Sequence, residues 1–287
     1  MRTSKAIWAL SVLATCATCL VAANVASAAL PEIGRCAKVT PTVEGKKKTY
    51  KGKFSNHACT RESKSSKGKY EWTPGPGEGK EFESPGTLEP VTLETAAGTQ
   101  IACKNSKTDG EITGANSETL SLSIYECKDL ATNEPCQSLR PEETPPTAEE
   151  GTILSQALDG ELGFITKKGK GGKPEVGWDY KAASGSKLFE FECGAVSPPG
   201  LGTKVTIEGS FISQVSKPID KMTEEYFLRD QQKAGHQVPE MFEGGAKDTL
   251  TATFLTTSLQ MTTEQLGYAA EAEEQSTTEP LEIKAIA

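Results

Sequence analysis

The sequence predicts an all-β protein, an antiparallel sandwich or barrel with a small disulfide-closed unit at its N-terminus. Three observations lead to this class: many short stretches alternate apolar and polar residues, turn residues separate them, and helical periodicity is almost absent. Aromatic residues are 6% of the chain, whereas glycines number 27 and prolines 16, which suits short strands and turns better than a helical bundle. A parallel α/β sheet would need crossover helices, and the sequence offers none.

Residues 1–28 have the layout of a secretory signal peptide. Arg2 and Lys5 precede an apolar stretch over residues 6–23, and Ala26-Ser27-Ala28 forms a small-x-small cleavage site. We expect cleavage after the last of these alanines. The alternative is an uncleaved N-terminal anchor, because the apolar stretch is somewhat long for a signal core. After cleavage we expect no membrane span.

Composition divides the remaining chain into a small basic disulfide-closed unit (29–73), a Pro- and Gly-rich linker (74–86) and an acidic β-rich domain (87–287). The basic unit contains 11 Lys and Arg against 4 Asp and Glu, whereas residue 74 to the end contains 18 against 35. This split has two interpretations. It provides solubility and mutual attraction of the two parts, or it marks a basic module that meets an anionic surface.

The expected strands follow the alternation of apolar and polar residues. Asp109-Gly110 and Asp159-Gly160 predict hairpin turns, because both residue types tolerate positive φ. Gly209 predicts a close backbone approach, because Val205, Ile207 and Phe211 keep one parity around it. In chain order the expected strands are 50–54, 91–95, 100–104, 111–114, 118–126, 152–158, 161–166, 187–192, 204–215, 250–255, 265–270 and 281–285. Residues 222–232 fit one helix or one strand, and we favour the strand.

Six cysteines follow the signal peptide, and an even number in an exported chain predicts three disulfides. Cys103 and Cys193 are in phase with apolar residues of their strands, whereas Cys127 is one step out of phase and close in sequence to Cys136. We predict Cys36–Cys59, Cys103–Cys193 and Cys127–Cys136. The alternative retains the first pair and joins Cys103 to Cys127 and Cys136 to Cys193. We expect no metal site, because none of the six forms a C-x-x-C and the chain has two histidines.

The candidate binding residues lie in one lysine-rich run. Lysines at this density can meet phosphate or carboxylate polymers, and the tyrosine can stack on a sugar or base. A solvated hairpin is the plainer interpretation of the same residues. Trp72 and Trp178 are similarly either a sugar platform or core residues. The residues of the run are Lys46, Lys47, Lys48, Tyr50, Lys51 and Lys53.

Several short segments resemble an uncharacterised group of exported, Cys-paired, β-rich proteins predicted in actinobacterial genomes. The resemblance spans nearly the whole chain after the signal peptide and implies export and paired cysteines, but no activity. The segments that carry it are Gly34-Arg35-Cys36, Asn56-His57-Ala58-Cys59-Thr60, Gly68-Lys69-Tyr70-Glu71-Trp72, Leu158-Asp159-Gly160-Glu161-Leu162-Gly163, Phe191-Glu192-Cys193-Gly194 and Phe242-Glu243-Gly244-Gly245.

The sequence has no G-x-S-x-G, H-E-x-x-H or P-loop, and its two S-x-x-K matches lack the S-D-N and K-T-G motifs that accompany S-x-x-K in penicillin-recognising enzymes. We therefore assign no catalytic residue and no cofactor. We expect an exported non-enzymatic protein, extracellular or in the cell envelope, that binds an anionic envelope polymer or surface and no specific nucleic acid. The alternative is a β-fold hydrolase that cleaves an extracellular polymer through paired carboxylates, which requires two facing Glu or Asp in a cleft.

Overall fold

The computed structural model describes residues 31–84, 90–138, 150–194, 202–217 and 220–285. As predicted, this part of the chain is nearly all β, with 62% of its residues in strands and no α-helix. A short 3-10 turn lies at Lys170–Gly172. No helix in these ranges is long and apolar enough to cross a membrane. The predicted signal peptide lies outside the described residues.

The described residues form twenty strands. In chain order they are β1 (Glu32–Lys38), β2 (Thr42–Glu44), β3 (Lys47–Thr49), β4 (Tyr70–Pro74), β5 (Glu81–Glu83), β6 (Val91–Thr95), β7 (Gln100–Cys103), β8 (Asn105–Ile112), β9 (Ser117–Tyr125), β10 (Lys128–Asp129), β11 (Cys136–Gln137), β12 (Ile153–Leu154), β13 (Leu158–Thr166), β14 (Glu175–Ala182), β15 (Lys187–Cys193), β16 (Thr203–Lys217), β17 (Thr223–Lys233), β18 (His236–Val238), β19 (Leu250–Leu255) and β20 (Met261–Lys284).

The strands close into an antiparallel barrel with extra strands attached, so of the two predicted architectures the structure has the barrel. One closed circuit of pairings passes through β5, β8, β9, β13, β14, β16, β17 and β20 and returns to β5. Closure gives each strand of the circuit a hydrogen-bonding neighbour on both sides, so the circuit itself presents no free sheet edge.

Two long strands extend this circuit. The first half of β16 pairs with β15 and β19, and its second half pairs with β14 and β17. Gly209 lies at the change of partners with φ +113°, and a Cβ there would be 1.9 Å from the Thr249 carbonyl oxygen. The predicted close approach at this glycine is therefore confirmed. β20 pairs in succession with β19, β6, β17, β5 and β1.

The predicted alternation places the core side chains. In β6, Val91 and Leu93 are buried, and in β9 the buried residues are Leu120, Leu122 and Ile124. Strand β19 has the predicted bounds, and β17 confirms the predicted strand near residues 222–232.

Both predicted Asp-Gly turns are wrong. Asp109-Gly110 lies within β8, opposite Ser121 and Leu120, and Asp159-Gly160 lies within β13, opposite Lys181 and Tyr180. The glycines serve packing instead of a turn. A Cβ on Gly110 would be 2.3 Å from the Phe82 ring, and one on Gly160 would be 2.7 Å from the Tyr180 ring. Glycine inside a strand here marks the close approach of an aromatic ring.

The predicted linker also contributes to the barrel. Its residues Glu81–Glu83 form β5, which pairs with β8 and β20, and Phe82 is buried. The segment named as a linker from its Pro-Gly composition thus includes a strand of the barrel. Its polar residues flank one phenylalanine that supplies the core contact.

The described residues contain three disulfides: Cys36–Cys59, Cys103–Cys127 and Cys136–Cys193. The first confirms its prediction, whereas the predicted pairs Cys103–Cys193 and Cys127–Cys136 are wrong and the alternative pairing is right. Disulfides of this kind fit an oxidising, extracellular environment.

Strand order explains the pairing. β7 pairs with β10, Lys128 of β10 bridges to Pro135 beside β11, and β11 pairs with β15. The four cysteines thus lie in the order 103, 127, 136, 193, and a bond between the outer two would span about 14 Å at about 4.8 Å per strand. Glu126 has φ +53°, which breaks the alternation just before Cys127 and lets that cysteine turn inward, where it is fully buried.

We predict that mass spectrometry of the unreduced, proteolysed protein finds the Cys103–Cys127 and Cys136–Cys193 cross-links. Replacing both Cys103 and Cys127 by Ser should lower the free energy of unfolding by about 3 kcal/mol, because the bond closes a loop of 24 residues. Urea unfolding monitored by circular dichroism measures this loss. A peptide joining Cys103 to Cys193 would contradict the strand order.

Candidate functional site

Residues 31–73, the described part of the predicted basic unit, form a lobe that we call the basic lobe. β1 is central to it, because it pairs with β4 along most of its length and with the end of β20 through Glu32, Ile33 and Gly34. The lobe is therefore joined to the barrel by main-chain hydrogen bonds. Its exposed basic residues are Lys38, Lys46, Lys47, Lys48, Lys51, Lys53, Arg61, Lys64, Lys67 and Lys69.

The predicted binding residues lie on and just after the β2–β3 hairpin. In the ladder, Lys47 is opposite Glu44 and Lys48 is opposite Val43, so these two lysines point to opposite faces of the ribbon. Within the described ranges, Lys46, Lys47, Lys48 and Lys51 are exposed and form no ion pair with the chain's own carboxylates. Their charges are therefore available to an external anion.

The other two predicted residues are partly engaged. The Lys53 ammonium lies 3.3 Å from Glu62, and its main-chain N–H donates to the Glu71 carboxylate at 2.7 Å. The Lys69 ammonium lies 5.8 Å from the centre of the Tyr50 ring. The structure therefore places all six predicted residues in one lobe. Four of the lysines are free to contact an anion, whereas Tyr50 and Lys53 already contact neighbouring side chains.

Lys284, near the end of β20, is the anchor of the basic lobe. Its ammonium lies 3.9 Å from the Trp72 ring centre and 5.0 Å from the Phe54 ring centre, and it donates to the Cys59 carbonyl at 3.1 Å. The side chain is 5% exposed, and burial lowers the pKa of Lys284. Trp72 also donates from Nε1 to Glu32 at 2.5 Å. These contacts fix the lobe against the barrel.

The tryptophan platform that the sequence offered does not form. Trp178 is 2% exposed and belongs to the core, whereas Trp72 covers Lys284. Sequence reasoning missed Lys284 because its partners are more than 200 positions away. The sequence gives no local signal for such a contact.

The barrel interior contains a second group of ionisable residues, which sequence reasoning also missed. Glu118, Asp230 and Glu273 are almost completely buried. Tyr180 donates to Glu118 at 2.5 Å, Ser213 donates to Asp230 at 2.5 Å, and Thr108 donates to Glu273. The sequence does contain a signal for two of these acids. Glu118 is an even number of positions from the buried apolar residues of β9, and Asp230 is two positions from Leu228, so both acids lie on the buried face of their strands.

Burial disfavours the charged form of all three acids. It raises the pKa of Glu118 to about 8, and burial also raises the pKa of Asp230 and of Glu273. Asp230 and Glu273 line a cavity of about 10 Å³, which is room for about one water molecule. A sugar ring does not fit, so these acids do not form the cleft that the hydrolase alternative requires.

A shallow pocket of about 290 Å³ lies on the outer surface beside the Cys136–Cys193 bond. β10 and the turn after it contribute Asp129, Thr132 and Glu134, and the end of β19 contributes Phe254 and the following Thr257. The pocket shows that these two turns are neighbours at one end of the barrel.

No protein-family model, curated protein or solved structure matches this chain. The resemblance to an exported actinobacterial group therefore stays a prediction, and the chemistry of the described residues carries the functional argument.

We predict that Lys284→Ala loosens the basic lobe and exposes it to trypsin. The substitution removes a desolvated cation–π contact of about 2 kcal/mol and the hydrogen bond to Cys59. Timed digestion read by mass spectrometry should show faster cleavage after residues 38–69, whereas Lys233→Ala, an exposed control on β17, should match the parent. Equal cleavage rates for the two variants would refute this anchoring.

We predict that the contribution of Glu118 to the free energy of unfolding is largest in acid. A raised carboxyl pKa contributes stability fully below the unfolded pKa near 4, and this contribution is lost as pH rises through the folded pKa, about 8 for Glu118. Glu118→Gln removes this titration, so its stability relative to the parent should rise by about 1.4 kcal/mol per pH unit between about pH 5 and pH 8.

Urea unfolding at three pH values measures this difference. The exposed Glu224→Gln variant is the control and should follow the parent at each pH. Parallel pH profiles for Glu118→Gln and the parent would show that Glu118 does not titrate as its burial requires.

Proposed function

We propose that the protein is an exported, non-enzymatic binding protein of the cell envelope, whose basic lobe binds an anionic polymer. The observation that carries the proposal is the group of exposed lysines at residues 46–51 that have no carboxylate partner within the described structure. Unpaired lysines on a two-stranded ribbon present point charges on both faces. A flexible polymer that carries phosphates or carboxylates can contact several of them at once.

The negative charge of the rest of the chain also favours binding of a polyanion at the basic lobe. Residue 74 to the end contains 18 basic and 35 acidic residues, so the barrel repels the polymers that the lobe attracts. An approaching polyanion is thereby directed to one end of the molecule. The anchoring of the lobe through β1 and Lys284 keeps this end in a fixed position on the barrel.

The buried chemistry favours binding over catalysis. Burial raises the pKa of Glu118 and of Asp230, and both carboxyl groups are hydrogen-bonded to hydroxyl groups inside the barrel. These two acids therefore have no access to a polymer. The proposal therefore assigns the contact with the ligand to the lobe.

We predict that the protein is retained on immobilised polyphosphate and on immobilised polyglutamate, and that retention weakens as NaCl rises from 0.05 to 0.5 M. Replacing Lys46, Lys47 and Lys48 by Ala should lower the affinity for the polymer at least tenfold, because each ammonium group contacts an anionic group of the polymer directly. Salt screens these contacts, so the loss should be largest at low NaCl. Microscale binding measurements at several salt concentrations give both the affinity and its salt dependence.

The matched control replaces Lys168, Lys170 and Lys173 by Ala. These exposed lysines lie in one loop of the acidic barrel, so the variant has the same net charge as the lobe variant. It should bind almost as the parent does. An equal loss for both triple variants would mean that only net charge matters, and retention that ignores salt would remove the electrostatic basis of the proposal.

A further inference from the structure

The hairpin between β19 and β20 ends in an exposed apolar segment, Leu255–Met261, which we call the apolar tip. Leu259 is 82% exposed and Met261 is 70% exposed, the two highest values among the large hydrophobic side chains of the described residues. Leu255 is directly opposite Met261 in the ladder and is 36% exposed. Three aliphatic side chains are thus presented together at the end of one ribbon.

The tip has a defined conformation. The Leu259 N–H donates to the Thr256 carbonyl at 2.9 Å, and the Thr256 N–H donates to the Gln260 carbonyl at 3.0 Å. The Gln260 N–H also donates to the Thr256 hydroxyl at 3.2 Å. At the base of the hairpin, Phe254 packs against the barrel core. The apolar side chains are therefore held outward by a structured turn.

Leucine is an unfavourable residue at the top of this turn. Leu259 has φ +62°, a left-handed conformation in which glycine or asparagine is far commoner. It also exposes most of its apolar surface to water. The residue costs stability on both counts, which is the pattern expected where a side chain is kept for an interaction.

The surroundings of the tip indicate the kind of surface it meets. Residues 249–263 contain no charged residue, although 24% of the chain is charged. Threonine and serine flank the three aliphatic side chains at 256, 257, 258, 262 and 263. An apolar end with a collar of hydroxyl groups and no charge matches the boundary between lipid chains and headgroups.

We propose that the apolar tip inserts into the surface of a lipid bilayer with no net charge. The uncharged tip matches a lipid surface without net charge, and the acidic barrel behind it would be repelled by anionic lipid. The basic lobe joins the opposite end of β20 from the tip. The tip is therefore a second contact surface, independent of the polymer site of the lobe.

Flotation of the full chain with vesicles of pure phosphatidylcholine tests the proposal. The parent should float with the vesicles, and Leu259→Asn combined with Met261→Asn should reduce the bound fraction at least tenfold. Asparagine tolerates the positive φ at 259, so the turn should be retained, and circular dichroism checks the fold. Val43→Asn is the control, because Val43 is 57% exposed but lies on the basic lobe. It should float like the parent.

Two further arms separate the outcomes. Replacing Lys46, Lys47 and Lys48 by Ala should leave flotation with phosphatidylcholine unchanged, so failure of the polymer proposal does not affect this test. Sedimentation velocity without lipid should show the same oligomeric state for parent and tip variant. Absence of flotation, equal flotation of the tip variant, or a dimer that the tip variant abolishes would each overturn the lipid proposal, the last in favour of a second copy.

Discussion

The continuity of β20 is the constraint on which the rest of the structure depends. This strand starts at the apolar tip, closes the barrel through its pairings with β17 and β5, and ends in the ladder with β1. One run of main-chain hydrogen bonds therefore fixes the relative positions of tip, barrel and basic lobe. The buried Lys284 ammonium adds a side-chain contact at the point where the lobe begins.

The interior of the barrel combines aromatic rings with buried acids. Phe211 lies between Tyr180 and Tyr268, with ring centres 5.4 Å apart in both pairs. Neighbouring positions of the same interior carry Glu118 and Asp230, whose carboxyl groups accept hydrogen bonds from hydroxyl groups and whose pKa values burial raises. The stability of such an interior depends on pH. Ionisation of a buried acid would leave a charge in a space that holds about one water molecule.

Much of the fold is predictable because alternation reports which side of a strand is buried. Strand β19 and the Cys36–Cys59 bond follow from sequence patterns. The Asp-Gly pairs mislead, because glycine serves two purposes and sequence does not distinguish a positive φ from room for a neighbouring ring. The pairing of Cys127 depends on one left-handed residue, Glu126, which reverses the parity that the prediction used.

The candidate sites differ in how much the sequence predicts of them. The lysine run at 46–53 is visible as composition, but only the ladder of β2 and β3 shows which lysines are free of carboxylates. The uncharged stretch at 249–263 was equally visible in sequence, although its meaning depends on the exposure of Leu259. The Lys284 contact needed the fold itself, because β1 brings residues 32–34 beside residues 282–284.

The basic lobe and the uncharged apolar tip thus lie at opposite ends of β20. Amide hydrogen exchange of the native protein tests this continuity most directly. The amides of β1 and of residues 281–284 should be protected to the same order as those of residues 266–277 in β20, because they share one ladder. Exchange of β1 and residues 281–284 that is orders of magnitude faster than in the barrel would show that the lobe is not fixed to β20.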